Sequence, residues 1–494
     1  MLLWPRNVYL DHNATTPVAP EVSAAMQKVL RNSFGNPSSL HTCGRTAKGL
    51  VERARESVAA LLGCRPERVL FTSGGTEGNN TVIKGVFGSA GKGHVITTKI
   101  EHESTLGACR QVEELGATVT YVPAGLDGVV RVEDVKAAIR PDTILISVMH
   151  GNNETGAIQP VREIAAIAKE AGIPFHTDAV QTYGKLRTHV EELGCDFLTL
   201  SAHKINGPKG CGAIYWRGNA KWSPLVFGGY QEQKLRAGTE GVHQIVGLGA
   251  AAGLAAERMG SEFKRLKELR KDFLGGLRRI VPDLRVNEAP PDKQLPGTIN
   301  ITFPGKEGLR ILAGLDCYEV SVSIGSACTA DSVEPSHVLL GMGLSKEDAL
   351  SSIRISMGTT TSRRDMAYAV EVFKAVMKGD PSGFAYLDPH HLTQERITSP
   401  ETFLIDVRFP YERWLSPTIP GAKEWSHINF ERFIKRIPKD REVILMCGTG
   451  IFSFSAGYLL ANRGHPRVRV VYGGYAAWRA LYPDLIDTLR RQGK

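Results

Sequence analysis

The sequence predicts an α/β protein built on a mostly parallel sheet, followed by a second α/β unit. Short apolar runs rich in β-branched residues alternate with segments of helical periodicity over residues 1–375. Such alternation is typical of a parallel sheet covered by helices. A turn-rich break at 378–383 precedes a new alternating pattern. The length of 494 residues is sufficient for two or more domains.

The elements of the first unit follow from local patterns. A helix is predicted over 21–31, where Val22, Met26 and Val29 share one face. A second amphipathic helix is predicted over 161–171 and a long one over 261–280, and a strand at 297–303 opens a smaller lobe. Five further strands are predicted at 94–98, 118–122, 143–149, 174–176 and 197–200. Beyond the break, strands are predicted at 403–408 and 443–447, with a helix over 453–462.

Composition narrows the class of protein. Apolar residues make up 42% and charged residues 22% of the chain, which is ordinary for a soluble globular protein. No apolar run approaches the ~20 residues that a membrane span needs. The first residues lack the basic start and apolar stretch of a signal peptide. We therefore expect a cytoplasmic protein without membrane contact.

Cysteine and charge patterns add two expectations. The eight Cys form no C-x-x-C pair, so neither a zinc clamp nor a redox dithiol is supported and no metal site is predicted. The net charge is +9, and residues 385–494 carry 16 Lys and Arg against 11 Asp and Glu, a balance of +5. This excess fits RNA, an acidic protein partner or a basic soluble surface. The last is favoured, because no basic run is interleaved with aromatic residues.

A lysine and an aspartate at the ends of two predicted strands suggest the chemistry. Lys204 follows an apolar run, is flanked by Ser201 and His203, and precedes a glycine-rich turn. Such an amine suits Schiff-base formation. Asp178 ends the preceding strand, and an acid facing a pyridinium nitrogen beside a lysine is the protein side of pyridoxal 5'-phosphate chemistry. Taken separately, a solvated loop cation and a strand-end cap explain the two residues equally well.

Other polar residues follow predicted strands in the same way. A turn on Gly74 and Gly75 opens a helix at Thr76, and its N–H groups suit a phosphate, although a simple tight turn with a helix cap fits as well. His102 and Asn153 each follow a further strand. Open α/β sheets bind ligands at the carboxyl ends of their strands. We therefore expect these side chains to meet in one site.

With these residues in place, the first ~375 residues resemble the cysteine desulfurases of the iron–sulfur-assembly type. This family belongs to the class-V aminotransferases, which are pyridoxal-phosphate enzymes of fold type I. The resemblance implies a large domain with a mostly parallel seven-stranded sheet and a small α/β domain. The segments that carry it are YLDHNATTP (9–17), FGNPS (34–38), TSGGTE (72–77), HGNNETG (150–156), SAHK (201–204), RAGT (236–239), GSACT (325–329) and SIRIS (352–356).

The resemblance implies a role for each residue. Lys204 would carry the cofactor and move the Cα proton of the substrate, and His102 would stack on the cofactor ring and handle the thiol proton. Asp178 would pair with the ring nitrogen and Gln181 with the phenolic oxygen. The phosphate would be held by Gly75, Thr76, Ser201 and His203, with Thr239 contributed by the other subunit of a homodimer. The substrate would be bound by Asn153, Arg354 and Asn13.

Cys328 would accept the sulfur. The small and polar residues around it favour a loop that reaches the site and leaves with a persulfide, whereas a buried inert thiol is the general alternative. The stretch from Cys328 to Pro335 resembles the family members that pass sulfur to several partners.

The C-terminal unit resembles a single rhodanese domain. The matching segments are LIDVR (404–408), IPGA (419–422), CGTGIFS (447–453) and GGYAAW (473–478). Cys447 lies between a strand and a helix, where N–H groups stabilise a thiolate or persulfide. Phe452 departs from the family, which usually has Arg at this position. The predicted domains are 1–377, with a large part at 15–260 and a small part at 1–14 and 261–377, a linker at 378–384, and the rhodanese-like domain at 385–494.

The sequence thus predicts a desulfurase that converts L-cysteine to L-alanine and passes a Cys328 persulfide to Cys447, to acceptor proteins, or to both. Acceptors of this kind are an iron–sulfur scaffold, a sulfur carrier or a tRNA-modification partner. One alternative is that the rhodanese-like domain only docks acceptors, which Phe452 favours. Another is a selenocysteine lyase or aminotransferase of the same fold.

Overall fold

The computed structural model describes residues 7–325, 335–379 and 381–491. The strands are β1 (Val8–Tyr9), β2 (Val69–Thr72), β3 (His94–Thr98), β4 (Thr118–Val122), β5 (Thr143–Ser147), β6 (Phe175–Asp178), β7 (Phe197–Ser201), β8 (Gly212–Trp216), β9 (Arg285–Val286), β10 (Thr298–Thr302), β11 (Val320–Ser321), β12 (Ser352–Ser356), β13 (Phe384–Leu387), β14 (Thr402–Asp406), β15 (Lys423–Glu424), β16 (Glu442–Met446) and β17 (Val468–Val471).

The helices of the same residues surround these strands. They are α1 (Pro20–Asn32), α2 (Thr42–Leu62), α3 (Gly75–Ala90), α4 (Glu103–Glu114), α5 (Val132–Ala137), α6 (Val161–Glu170), α7 (Val190–Leu193), α8 (Val242–Arg278), α9 (Gly308–Asp316), α10 (His337–Gly341), α11 (Lys346–Leu350), α12 (Arg363–Val376), α13 (Gln394–Thr398), α14 (Pro410–Leu415), α15 (Phe430–Phe433), α16 (Ile451–Asn462), α17 (Gly474–Leu481) and α18 (Leu485–Arg491).

The large domain is built on a seven-stranded sheet in the order β2-β8-β7-β6-β5-β3-β4. β8 runs antiparallel to both of its neighbours, and the other pairs are parallel. Successive side chains of a strand point to opposite faces. Leu70 of β2 therefore packs in one apolar core with α3 and α4, whereas Phe71 packs in the other with α2, α6 and α8. The fold class predicted from the sequence is confirmed.

One predicted helix was wrong at its start. The sequence predicted a helix beginning at residue 261, but α8 begins at Val242 and runs for 37 residues. Its first half has no amphipathic stripe because it is buried and rich in small residues. Gly249 lies so close to α2 that a Cβ added there would be 2.7 Å from the Ala54 Cα. α8 then continues into the small domain, where Phe273 is buried in a separate core.

The small domain combines the N-terminal strand with residues that follow α8. β10 pairs antiparallel with β12 and with β9, and β1 pairs in parallel with β11. Directly after β1, Asp11 bridges to Ser356 at the end of β12. The N-terminal segment is thereby held at the boundary between the large and small domains, where Lys204 also lies.

The C-terminal domain has a five-stranded sheet in the order β13-β17-β16-β14-β15, with all pairs parallel. The buried strand β16 leads directly to Cys447, and α16 starts at Ile451, two residues before the predicted start. β13 begins at Phe384, within the last residue of the predicted linker. The predicted domain limits remain predictions.

The C-terminal domain packs against the small domain through α9 and α16. Leu309 and Ala313 of α9 are buried in one cluster with Phe454 and Tyr458 of α16. The Arg310 guanidinium lies 4.9 Å from the centre of the Tyr386 ring and 5.8 Å from that of Phe454. This contact joins the two domains through apolar packing and cation–π interactions. Among the described residues, no helix is both long and apolar enough to cross a membrane.

Candidate active site

A cavity of about 320 Å³ opens at the carboxyl ends of the central strands of the large sheet. Its location follows from the strand directions, because the loops after parallel strands converge at one edge. Eleven residues singled out from the sequence line it, namely Asn13, Gly75, Thr76, His102, Asn153, Asp178, Gln181, Ser201, His203, Lys204 and Arg354. The structure therefore brings most of the predicted site together, and their individual roles remain predictions.

Lys204 lies in a single 3-10 turn directly after β7. Its Nζ donates hydrogen bonds to the carbonyl oxygens of Asn13 at 2.6 Å and Ala14 at 2.7 Å. The N-terminal segment therefore positions the amine at the boundary of the cavity. These contacts connect the residue expected to react with the segment that joins the large and small domains.

Asp178 is linked to His102 by a chain of hydrogen bonds. Asn79 of α3 donates from Nδ2 to the Asp178 Oδ2 at 2.7 Å and to the Ser104 Oγ at 2.9 Å. The second carboxylate oxygen, Oδ1, accepts from the Val180 N–H at 2.9 Å. The Ser104 Oγ in turn lies 2.8 Å from the His102 Nδ1. The orientation of the carboxylate and that of the imidazole are thus fixed by the same two helices.

These hydrogen bonds also determine which ring nitrogen of His102 carries the proton. The Ser104 backbone N–H, which can only donate, lies 3.1 Å from Nδ1, so that nitrogen is the acceptor. Burial lowers the pKa of His102. The negative charge of Asp178 raises this pKa, and the positive charge of Lys204 lowers it. The ring is therefore neutral with its proton on Nε2, which leaves that N–H for a ligand.

A further lysine lies beside the predicted site. Lys185 donates from Nζ to the Gln181 Oε1 at 3.0 Å, and the Gln181 Nε2 donates to the Asn13 carbonyl at 3.0 Å. The amide orientation of Gln181 is fixed, and within the described part of the chain its second N–H makes no hydrogen bond and can face a ligand. Burial, and then repulsion from Lys204 and Arg354, lowers the pKa of Lys185 to about 7.

The lowered pKa of Lys185 predicts a pH dependence of stability. In the unfolded chain the pKa is near 10.4, so between pH 7 and 10 the unfolded state binds more protons and stability rises with pH. Below pH 7 Lys185 is charged in the folded state as well, so the free-energy cost of burying this charge lowers stability in full. We expect the unfolding free energy of the apoprotein to rise from pH 7 to 10 relative to Lys185→Met. Lys169→Met, at an exposed position, is the control, and parallel curves for wild type and Lys185→Met would contradict the prediction.

The other end of the cavity suits an anion. Gly75 and Thr76 form the first turn of α3, whose N–H groups have no partner within the helix. A Cβ at Gly75 would lie 2.8 Å from the Val180 side chain, so a larger residue would be crowded. Ser201 lies beside this turn, since a Cβ at Gly75 would be 4.0 Å from the Ser201 Cβ, and His203 also lines the cavity. Burial lowers the pKa of His203 to about 4, so its ring is neutral.

Arg354 of β12 is buried and held from two sides. Its Nη2 donates to the Asp11 Oδ1 at 2.7 Å and its Nη1 to the Asn153 carbonyl at 3.3 Å. The Nε is buried and has no hydrogen-bond partner among the residues that the structure describes. Asn13 donates from Nδ2 to the same Asn153 carbonyl at 3.0 Å. A guanidinium positioned in this way can bind a carboxylate through its remaining N–H groups.

Of the predicted residues that the structure describes, Thr239 and Cys447 do not line this cavity. Cys328 lies outside the described residues. Gly325 and Ser336, on either side of Cys328 in the sequence, lie beside Glu154 of the cavity. The Ser336 hydroxyl donates to the Glu154 Oε2 at 2.5 Å, and a Cβ at Gly325 would lie 3.4 Å from the same oxygen. Thr239 is exposed and does not line the cavity of its own chain. Cys447 belongs to the C-terminal domain.

Cys447 is at the start of a tight loop before α16. The Gly450 N–H donates to the Cys447 Sγ at 3.1 Å, and the Ser453 hydroxyl lies 3.5 Å from the same sulfur. Gly450 has a φ of +101°, which a glycine adopts without strain and which turns its N–H toward the sulfur. The thiol is buried, and the arrangement stabilises a sulfur anion through N–H and O–H donors.

Sequence reasoning missed several residues of the cavity and its surroundings. Asn79 lies one turn inside α3 and Ser104 is the second residue of α4, and nothing in their local pattern distinguishes them from ordinary helix residues. Asp11 lies within the segment YLDHNATTP, but the sequence indicates no role for it. For Lys185, its position four residues after Gln181 is the one signal available. The residues that were missed are Asp11, Asn79, Ser104, Lys185 and His337 of α10. The His337 Nε2 donates to the Glu101 carbonyl at 2.8 Å.

Comparisons with known proteins agree with this geometry. The family model described as Aminotransferase class-V matches residues 8–368, and the Rhodanese-like domain model matches residues 390–481. A protein named cysteine desulfurase IscS from Dictyoglomus turgidum is 47% identical over 375 residues, which cover 76% of this chain and 95% of that protein. The IscS-named protein of Methanosarcina thermophila is 44% identical over 373 residues, covering 75% and 92%. A solved structure titled NifS-like protein superposes with a TM-score of 0.71 at 35% identity, covering 76% of this chain and all of that one.

Proposed function

Because the chain belongs to the class-V aminotransferase family, as a cysteine desulfurase with a rhodanese-like C-terminal domain, we propose that it moves sulfur from L-cysteine to Cys328 and then to Cys447. The observation that supports this most directly is the single cavity in which Lys204, Asp178, His102 and Arg354 meet. A cavity with a reactive amine, a buried acid and a bound guanidinium suits an amino-acid substrate. The family assignment and the cavity thus both support L-cysteine as the substrate of the first step.

The residues present fit the cofactor of this family, pyridoxal 5'-phosphate. Asp178 would hold the ring nitrogen, Gln181 the phenolic oxygen, and the first turn of α3 with Ser201 and His203 the phosphate. The fit is supported by the buried carboxylate that Asn79 orients and by the close approach that Gly75 permits. When bound, the cofactor supplies an electron sink for the pair released at the substrate Cα.

Side chains of the protein itself would bind the substrate and transfer its protons. Arg354 and Asn153 would bind the substrate carboxylate and orient Cα toward Lys204, which removes and returns a proton there. His102 would present its Nε2 proton to the substrate sulfur. The bonds from the Asn13 and Ala14 carbonyls keep the Lys204 amine at the cavity boundary until substrate is bound.

The sulfur steps conserve atoms and electrons. The Cys328 thiolate would attack the substrate sulfur, so a sulfur–sulfur bond forms, the carbon–sulfur bond breaks, and its electron pair and a proton complete L-alanine at carbon. The Cys447 thiolate would then attack the outer sulfur of the Cys328 persulfide and release Cys328 as a thiolate. No external oxidant or reductant is needed in either step.

The contact between α9 and α16 supports transfer within one chain. The start of α9 approaches the segment that leads to Cys328, since a Cβ at Gly308 would lie 3.6 Å from the Ile324 side chain. The same helix contacts Phe454 of α16 through Arg310, one residue after the Ser453 hydroxyl that faces Cys447. A domain held beside its donor receives sulfur at a high effective concentration.

Mass spectrometry after treatment with L-cysteine tests the proposal. Persulfide is expected on Cys328 and on Cys447, and Cys328→Ser should abolish both. Alanine release without persulfide on Cys447 would replace the relay by the docking alternative, in which the C-terminal domain recruits acceptors without carrying sulfur. Absence of alanine release would overturn the desulfurase step itself.

Undocking the C-terminal domain should weaken the relay without stopping desulfuration. Leu309→Asp places a charge in the buried contact between α9 and α16, which carries a large desolvation cost. Loading of Cys447 from L-cysteine should fall by about tenfold, because the linker alone gives a lower effective concentration than a docked domain. Alanine release with an added thiol should stay at the wild-type level.

The matched control for this variant is Leu30→Asp on α1, where Leu30 is 60% exposed. Rapid mixing with L-cysteine followed by mass spectrometry gives the loading rate of Cys447. Equal loading rates in Leu309→Asp and Leu30→Asp would show that docking does not position the acceptor thiol.

We also propose a homodimer in which Thr239 completes the phosphate site of the neighbouring subunit. Arg236 binds Glu77 of α3 through its Nε at 2.8 Å, which holds the segment beside the phosphate end, while Thr239 itself is exposed. Light scattering at micromolar concentration should give a mass near 108 kDa, twice 53.8 kDa. A fully active monomer would contradict the proposed homodimer.

We also propose a cytoplasmic location for the protein. Its proposed acceptors are proteins of iron–sulfur assembly or of tRNA sulfur transfer.

A further inference from the structure

A carboxylate packs against the loop that carries Cys447. Glu412 lies on α14, and a Cβ built on Gly448 would be 2.9 Å from the Glu412 Oε1, so this oxygen contacts the backbone of the residue after Cys447. The other oxygen, Oε2, accepts from the Phe409 N–H at 2.8 Å and fixes the carboxylate in place. Among the residues that the structure describes, Glu412 has no ion-pair partner.

Two arginines near this loop are paired with other acidic residues. Arg408 is buried, binds Asp406 at 2.7 Å and lies 3.8 Å from the centre of the Tyr475 ring. Arg413 pairs with Glu424 at 3.5 Å. Glu412 therefore brings a carboxylate against the loop backbone without a cation bound to it among the described residues.

The residue before Ser453 adds no positive charge. Phe452 stacks on His427 with ring centres 4.2 Å apart, and Phe409 meets the same imidazole edge-on at 4.3 Å. This cluster of Phe409, His427 and Phe452 presents rings where related domains usually have an arginine. On this side of the loop, an anionic sulfur donor would therefore meet a carboxylate and aromatic faces.

We propose that Glu412 and Phe452 make the Cys447 loop reject anionic sulfur donors and accept sulfur from neutral or cationic persulfides. The proposal rests on the proposed function, because it specifies the donor class of that same thiol. In each case the Cys447 thiolate attacks the outer sulfur of the donor, the sulfur–sulfur bond breaks, and the donor leaves as its reduced form. With thiosulfate the leaving group is sulfite, a dianion that must also pass the Glu412 carboxylate.

Two small donors of different charge test the proposal on the full-length holoprotein. Thiosulfate is a dianion, and the persulfide of cysteamine carries a cationic amine. Glu412→Gln keeps a side-chain oxygen for the Phe409 N–H but removes the charge. It should raise kcat/KM for thiosulfate by about tenfold, and Phe452→Arg by about 10- to 100-fold, because each changes one charge contact in the transition state. Transfer from cysteamine persulfide should change by no more than about twofold, or fall, in both variants.

Salt gives a second measurement that does not depend on a variant gaining activity. Raising the ionic strength screens repulsion, so thiosulfate turnover of the wild type should rise with salt and that of Glu412→Gln should not. The control is Glu395→Gln, which makes the same charge change at an exposed position on α13.

The outcomes separate this proposal from the relay. Equal gains for both donors in Glu412→Gln, or no gain for thiosulfate together with a flat salt response in the wild type, would overturn the charge selection. Failure of L-cysteine to load Cys447 would overturn the relay, whereas the thiosulfate and cysteamine persulfide results would still decide the donor class.

Discussion

Lys204→Ala is expected to abolish both cofactor retention and desulfurase activity. The amine lies where the loops after β5, β6 and β7 converge, held by the Asn13 and Ala14 carbonyls. Its loss removes the covalent attachment of the cofactor and the group that moves the Cα proton. Proton transfer by a positioned side chain is worth roughly 10²- to 10⁴-fold. We therefore expect alanine release to fall by at least about 10³-fold.

Absorbance spectroscopy checks the first half of this prediction without an activity assay. The visible absorbance of bound pyridoxal phosphate should disappear from Lys204→Ala after dialysis and persist in the wild type. Lys209→Ala is the matched control, because Lys209 is exposed on the turn that follows Lys204 and does not line the cavity. An unchanged visible spectrum in Lys204→Ala would assign the cofactor linkage to another amine.

The residues predicted from the sequence are those whose positions follow from strand ends. Asp178 and Lys204 each end or follow a strand, and parallel strands bring such positions to one edge. The mostly parallel sheet and the position of the cavity at the carboxyl ends of its strands were therefore predictable from local patterns and the family resemblance, whereas the order of the strands was not predicted. Asn79 and Ser104 could not be predicted, because their contact depends on how α3 and α4 pack on the sheet and not on any local pattern.

Long-range packing likewise determines what the sequence could not show of the C-terminal domain. The segment CGTGIFS predicts a thiol at a helix start, and the Cys447 sulfur does accept the Gly450 N–H. The approach of Glu412 to Gly448 joins residues 36 positions apart and depends on where α14 lies. The start of α8 was missed for a related reason, since helices buried on several sides lack the polar face that marks an amphipathic helix.

Cys328→Ser is expected to separate cofactor chemistry from sulfur chemistry. The cavity residues that would bind the cofactor and the L-cysteine carboxylate are all distinct from Cys328, so both should still bind. A serine hydroxyl is far less acidic and less nucleophilic than a thiol, and it cannot accept the substrate sulfur as a persulfide. Sulfide and alanine production should drop by on the order of 10³-fold or more, as when a catalytic nucleophile is removed.

Three measurements on one sample decide this prediction. Cys328→Ser should keep the visible absorbance of the bound cofactor, and that absorbance should still change when L-cysteine is added. Alanine should not accumulate, and Cys447 should stay free of persulfide, because its donor is missing. Cys43→Ser, at an exposed cysteine distant in sequence from the motif, is the control. If Cys328→Ser released alanine at the wild-type rate, the sulfur would leave the substrate by another acceptor, and direct attack by Cys447 would be the first alternative to examine, since its loading would then persist without Cys328.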